Sequence, residues 1–114
     1  LRVDDRVGQT SSRGLKVLRV VYEWRVAPED TEQFRALWAR VTDQIHASTP
    51  GAMGSSMLRS VEDPSVILTV AKWTSYAAWK DFFGDSNPEL MKAMRALGER
   101  VSVNAYEELE DRTH

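Results

Sequence analysis

Residues 16–26 read KVLRVVYEWRV, and this run decides how the rest of the chain is read. Leu18, Val20, Tyr22, Trp24 and Val26 fall on one side of a two-residue alternation, while Val17, Arg19, Val21, Glu23 and Arg25 fall on the other. Successive strand side chains point to opposite faces, so the pattern predicts a strand with one fully buried face and one partly covered face. The buried face needs a second layer, and the next residues supply it. Pro28 suits a first helical turn, and Glu29, Asp30 and Glu32 put negative charge near the positive end of a helix dipole. Phe34, Leu37, Trp38, Val41 and Ile45 then recur at three- and four-residue steps. At about 100° per residue they make a single apolar stripe within an arc of about 100°. Ser48, Thr49, Pro50 and Gly51 end the helix.

The pattern continues with two strands. Met53–Val61 is diluted by Gly54, Ser55 and Ser56, whereas Val66–Trp73 (VILTVAKW) is rich in β-branched residues, and Asp63-Pro64-Ser65 turns the chain between them. Thr74 or Ser75 can cap a helix through Tyr76, Trp79, Phe82 and Phe83, interrupted by Gly84-Asp85-Ser86. Asn87 and Pro88 open a second segment whose stripe is Leu90, Met94, Leu97 and Val101, and Ser102–Leu109 reads as a last strand. The order β-α-β-β-α-β predicts an α+β, ferredoxin-like fold: a four-stranded antiparallel sheet with both helices on one face and the second helix broken. The off-core positions Val17, Val21, Val66, Leu68 and Val70 are too apolar for water, so a second copy of the chain is expected against that sheet face, giving a homodimer.

Composition narrows the function classes. The chain has 114 residues, 42% hydrophobic and 28% charged, enough for one domain that buries a real core. Residues 1–14 build no period and read as a mobile N-terminal arm, 15–109 as the compact domain and 110–114 as a loose tail. The sequence contains no cysteine, which excludes disulfides, thiolate metal sites and cysteine nucleophiles. A net charge of −2 without a basic block argues against nucleic-acid partners. No apolar run approaches the roughly 20 residues of a membrane span, and no signal-peptide pattern appears, so the expected setting is cytoplasmic. A first residue Leu1 rather than Met is consistent with further chain upstream. Serines lack a nucleophile-elbow context, and the six glycines are scattered rather than grouped into a phosphate loop.

The stretches VYEWRVAPEDTEQFRALW and AKWTSYAAWKDFF, with a Gly-bearing second strand and Asp63-Pro64 between them, resemble the antibiotic biosynthesis monooxygenase family over about residues 17–109. Its fold superfamily is the dimeric α+β barrel. The resemblance implies cofactor-free oxidation of anthrone-type polycyclic phenols to quinones: the substrate's own carbanion reduces O₂, and the protein orients it, favours its deprotonation and excludes water. In the best-known branch a strand Asn, a strand-end Trp and a Tyr beyond it do this work. The corresponding residues are Thr69, Trp73 and Trp79. The haem-degrading branch places an axial His on the second helix. Residues 88–101 contain none, so no haem and no other cofactor is expected.

Candidate site residues follow from both readings. Trp73 and Thr69 are the catalytic candidates, Trp73 to orient the ligand and Thr69 to donate a hydrogen bond. Tyr22, Trp79, Tyr76 and His46 are the substrate-binding candidates, around a small aromatic molecule with O₂ as co-substrate. The alternative for each aromatic is plain core packing, which is the reading for Trp38 on its helical stripe. His46 sits on the flank of that stripe and becomes a general base only if it reaches a pocket rim. No metal site is expected, because the acidic tail Glu107, Glu108, Glu110 and Asp111 reads as solvated surface. Two other functions remain open: a non-catalytic small-molecule-binding or interaction module, and an aromatic polyketide cyclase.

Overall fold

The computed structural model describes residues 17–85 and 88–113. The arm expected over residues 1–14, the cap expected at Asn87 and the side chains of Leu90 and Met91 lie outside what it describes. Along the chain run β1 (Leu18–Val26), a 3₁₀ turn (Pro28–Asp30), α1 (Thr31–Ser48), β2 (Ala52–Arg59), β3 (Val66–Trp73), α2 (Tyr76–Asp85), α3 (Pro88–Leu97) and β4 (Gly98–Glu107). The strands form one antiparallel sheet in the order β2-β3-β1-β4. This is the α+β, ferredoxin-like arrangement the alternation in β1 called for.

The strand β1 is central, and every second residue of it is buried: Leu18, Val20, Tyr22, Trp24 and Val26. Ile67, Thr69 and Trp73 of β3 share that face, because Tyr22 lies directly opposite Thr69 and Trp24 opposite Ile67. The helix α1 lays Phe34 and Val41 fully into this core, with Leu37, Trp38 and Ile45 packed against it at partial exposure. Met94 of α3 and Trp79 of α2 complete it.

Several element boundaries differ from the sequence reading, and β4 ends at Glu107 rather than Leu109. Gly84 and Asp85 continue α2 instead of breaking it. The helix α3 ends at Leu97, so Val101 belongs to β4 and is 47% exposed. The cause is Gly98. A Cβ there would stand 2.8 Å from Val26 Cγ2 and 3.2 Å from Phe34 Cε1, so the bare backbone docks against β1 and pairs Gly98 with Val26. The strand then absorbs a register shift opposite Glu23 and Trp24. Finally, β2 stops at Arg59, because Ser60 N–H donates to the Val66 carbonyl and the Ser60 hydroxyl accepts from Asp63 N–H, which starts the turn early and leaves Val61 97% exposed.

Candidate functional site

The stripe of α1 faces small residues where it crosses the sheet edge. Ala52, Gly54 and Ser55 of β2 and Ala71 of β3 lie beneath Trp38, Val41 and Ile45. Side chains this short cannot fill the gap between a helix and a sheet, and a cavity remains. Its volume is about 70 Å³, and it opens to solvent at a mouth. Trp73 and Phe82 form one wall, with ring centroids 5.2 Å apart. Trp24, Trp38 and Met94 contribute further apolar surface. The left-handed backbone of Gly54 (φ 99°) sits at the rim beside His46, whose Nδ1 is 4.0 Å from where a Cβ would be.

Two residues with buried hydroxyls, on the paired central strands, line the cavity. Thr69 is 4% exposed and Tyr22 is 8% exposed. Trp24 Nε1–H donates to Thr69 Oγ1 at 3.1 Å, and Trp79 Nε1–H donates to Tyr22 Oη at 3.3 Å. Burial pushes the Tyr22 phenol above its ordinary range, against smaller opposing pulls from the Trp79 hydrogen bond and the charge of Arg100. Tyr22 therefore stays protonated at neutral pH, its oxygen accepting from Trp79. No carboxylate lines the cavity among the described residues, and no described group of acidic or imidazole side chains could hold a metal ion.

Of the residues singled out in the sequence, Trp73, Thr69, Tyr22 and His46 all line this one cavity. His46 does so from an exposed position at the mouth. Trp79 does not line it: the indole donates to Tyr22 and packs at a tilt against Tyr76 and Phe83, with centroids at 5.8 and 5.1 Å. Tyr76 is 53% exposed on the outer side of α2 and is not part of the wall. Trp38, expected as plain core packing, and Trp24 also line the cavity. The available signal was the run Ala52-Met53-Gly54-Ser55-Ser56, whose small residues leave the α1 stripe without a full counterface.

The model of the family described as antibiotic biosynthesis monooxygenase matches residues 17–97. The chain belongs to that family. Among solved structures it is similar to SnoaB, a cofactor-independent oxygenase from Streptomyces nogalater, at 20% identity over 87% of this chain and 99% of that one, with a TM-score of 0.67. A conserved protein from Methanosarcina mazei Go1 is 17% identical over 82% and 93% of the two chains, with a TM-score of 0.66. A protein of Caulobacter crescentus CB15 is 16% identical over 91% and 100%, also with a TM-score of 0.66. At these identities the likeness establishes a shared fold. Comparison with curated protein sequences finds no match.

Proposed function

We propose that this member of the antibiotic biosynthesis monooxygenase family oxidises an aromatic or polycyclic phenolic molecule with O₂ in the α1–sheet cavity, without a bound cofactor. The observation that carries the reading is the cavity itself: aromatic walls, two buried hydroxyls on its inner face and a mouth with a single imidazole. A planar aromatic ring fits against Trp73 and Phe82, and apolar walls exclude water from the reacting carbon. Among the described residues the Trp73 indole N–H has no hydrogen-bond partner, which leaves it free to orient a ligand oxygen.

The chemistry suits a substrate with a methylene conjugated to a phenol or ketone. The methylene gives up a proton, with His46 at the mouth as the acceptor, and the negative charge delocalises onto the substrate oxygen. The carbanion passes one electron to O₂, the radical pair closes as a C–O bond, and the hydroperoxide loses water to leave a carbonyl. One oxygen atom stays in the quinone. The other leaves as water with both methylene hydrogens.

The same reading extends to assembly. Val21, Val66, Leu68 and Val70 lie half-buried on the sheet face away from the helices, with Leu58 and Tyr106 52% and 54% exposed beside them. A second copy covering this face makes a homodimer and closes the sheet against water. No helix among the described residues is long and apolar enough to cross a membrane, and the cytoplasm is the proposed site of action. An oxygen electrode tests the activity: protein dialysed against chelator and freed of flavin consumes O₂ when anthrone is added. Anthrone binding without O₂ uptake supports a binding module instead, and substrate conversion without O₂ uptake supports a cyclase.

A further inference from the structure

We propose that Arg25, Arg95 and Arg100 form a cleft for a phosphomonoester dianion where the end of α3 meets the β1–β4 pair. The cleft shares no lining residue with the α1 cavity and does not rest on the oxidation proposed there.

The local fold brings the three guanidinium groups together. The helix α3 carries Arg95 in its last turn and ends at Leu97. Gly98, bare enough to dock against Val26 and Phe34, takes the chain straight into β4. Glu99 then lies directly opposite Arg25, and Arg100 directly opposite Trp24. The three arginines and Glu99 consequently line one open cleft of about 540 Å³.

The fold does not neutralise this charge. Among the described residues, no carboxylate lies within ion-pair distance of Arg95 or Arg100. Arg100 rests over Phe83, 5.7 Å from the ring centroid, a contact that supplies no acceptor oxygen. Arg25 reaches Ser65 Oγ at 3.3 Å and Asp63 Oδ2 at 3.5 Å through Nη1 alone, so Nε and Nη2 stay available. The Asp63 contact is an exposed pair, which holds a guanidinium weakly. Three guanidinium groups against the one carboxylate of Glu99 leave a surplus of +2 at the cleft, in a chain whose net charge is −2. The C-terminal end of α3 offsets only about half a charge of it.

The surplus and the number of forks select the ligand. A carboxylate would cancel one charge and offer two oxygens. A phosphomonoester carries about −1.5 to −2 at neutral pH and three terminal oxygens, one for each arginine, and guanidinium groups bind such oxygens through paired N–H donors.

Calorimetric titration at low ionic strength with methyl phosphate and with acetate reads the cleft. Methyl phosphate binds with a Kd of about 1 mM or tighter, and acetate about tenfold more weakly or worse. Arg95→Gln and Arg100→Gln each weaken methyl phosphate about fivefold or more, with far-UV circular dichroism unchanged. Glu99→Gln removes the opposing charge and tightens binding about threefold, a gain that loss of structure would not produce. No heat up to about 10 mM methyl phosphate, equal affinity for acetate, or an unchanged Kd in both arginine variants overturns the cleft and leaves the α1 cavity reading standing.

Discussion

The Trp24–Thr69 hydrogen bond can be measured without any ligand. Thr69→Val keeps the shape of the side chain and removes the acceptor of the Trp24 indole, which is 1% exposed and has no water to turn to. Leaving that donor unpaired costs about 1–3 kcal/mol. The added buried methyl returns about 0.8 kcal/mol, so a net loss of about 0.2–2 kcal/mol is expected. Trp24→Phe is the larger change. Trp24 packs edge-on to Phe34 at 5.1 Å and stacks toward Tyr22 at 6.3 Å, and trimming it leaves a hole in that cluster. About 2–3 kcal/mol is lost, a part of the 3–5 kcal/mol typical for full truncation of a large aromatic. In the double variant the indole N–H is absent, so Thr69→Val no longer orphans anything. The two losses should therefore sum to about 1–3 kcal/mol more than the double variant shows. Urea denaturation of all four proteins, followed by far-UV circular dichroism, closes the cycle. Additivity within about 0.3 kcal/mol would mean that the bond contributes nothing to the ground state.

Four further outcomes are expected. Gly98→Ala forces a methyl to within 2.8 Å of Val26 Cγ2; an overpacking cost of about 1–3 kcal/mol less a backbone gain of about 0.4–1 kcal/mol lowers Tm by roughly 5–10 °C, and an unchanged melt contradicts the docking argument. Leu68→Arg puts charge on the free sheet face, so light scattering should move from twice the 12.9 kDa chain mass to the chain mass itself; a wild-type monomer refutes the dimer. The raised Tyr22 value means that the folded state holds its proton more tightly than the unfolded chain, so this group's contribution is fully present below pH about 10 and is lost as pH rises through the folded value. The tyrosinate absorbance should keep a late component above pH about 10 that Tyr22→Phe removes, and identical curve shapes in the two proteins contradict it. Trp73→Phe should cut turnover at least tenfold beyond any effect of its stability change, while an equal rate in a folded variant removes Trp73 from the site.

How far the sequence carried depended on what each segment had to contact. The β1 alternation and the α1 stripe were legible because burial on one face imposes period 2 or 3.6 regardless of the partner. The strand β3 was found at its observed boundaries for the same reason. The end of α3 was not legible: Leu97 and Val101 keep helical spacing, and only the close approach of Gly98 to Val26 and Phe34 converts the chain to strand there. The site divides in the same way. Thr69, Tyr22 and Trp73 share the core-facing parity of their strands, which the alternation gives away. Trp79 could not be placed from spacing, because its ring turns toward Tyr22 and Phe83 and away from the cavity. The cavity role of Trp38 was not legible because it depends on what is missing opposite it, the bulk that Ala52, Gly54, Ser55 and Ala71 do not supply.

The central claim is that this cavity lets O₂ react with a bound aromatic without help from a metal or an organic cofactor. Mass spectrometry of the quinone formed from anthrone under ¹⁸O₂, with chelator-treated and flavin-free protein, addresses it directly. The account predicts one heavy oxygen per product molecule, and a rate that collapses when Ala71→Phe fills the cavity of an otherwise folded protein. Product carrying only ordinary oxygen, or formation at the same rate with the cavity filled, would contradict it.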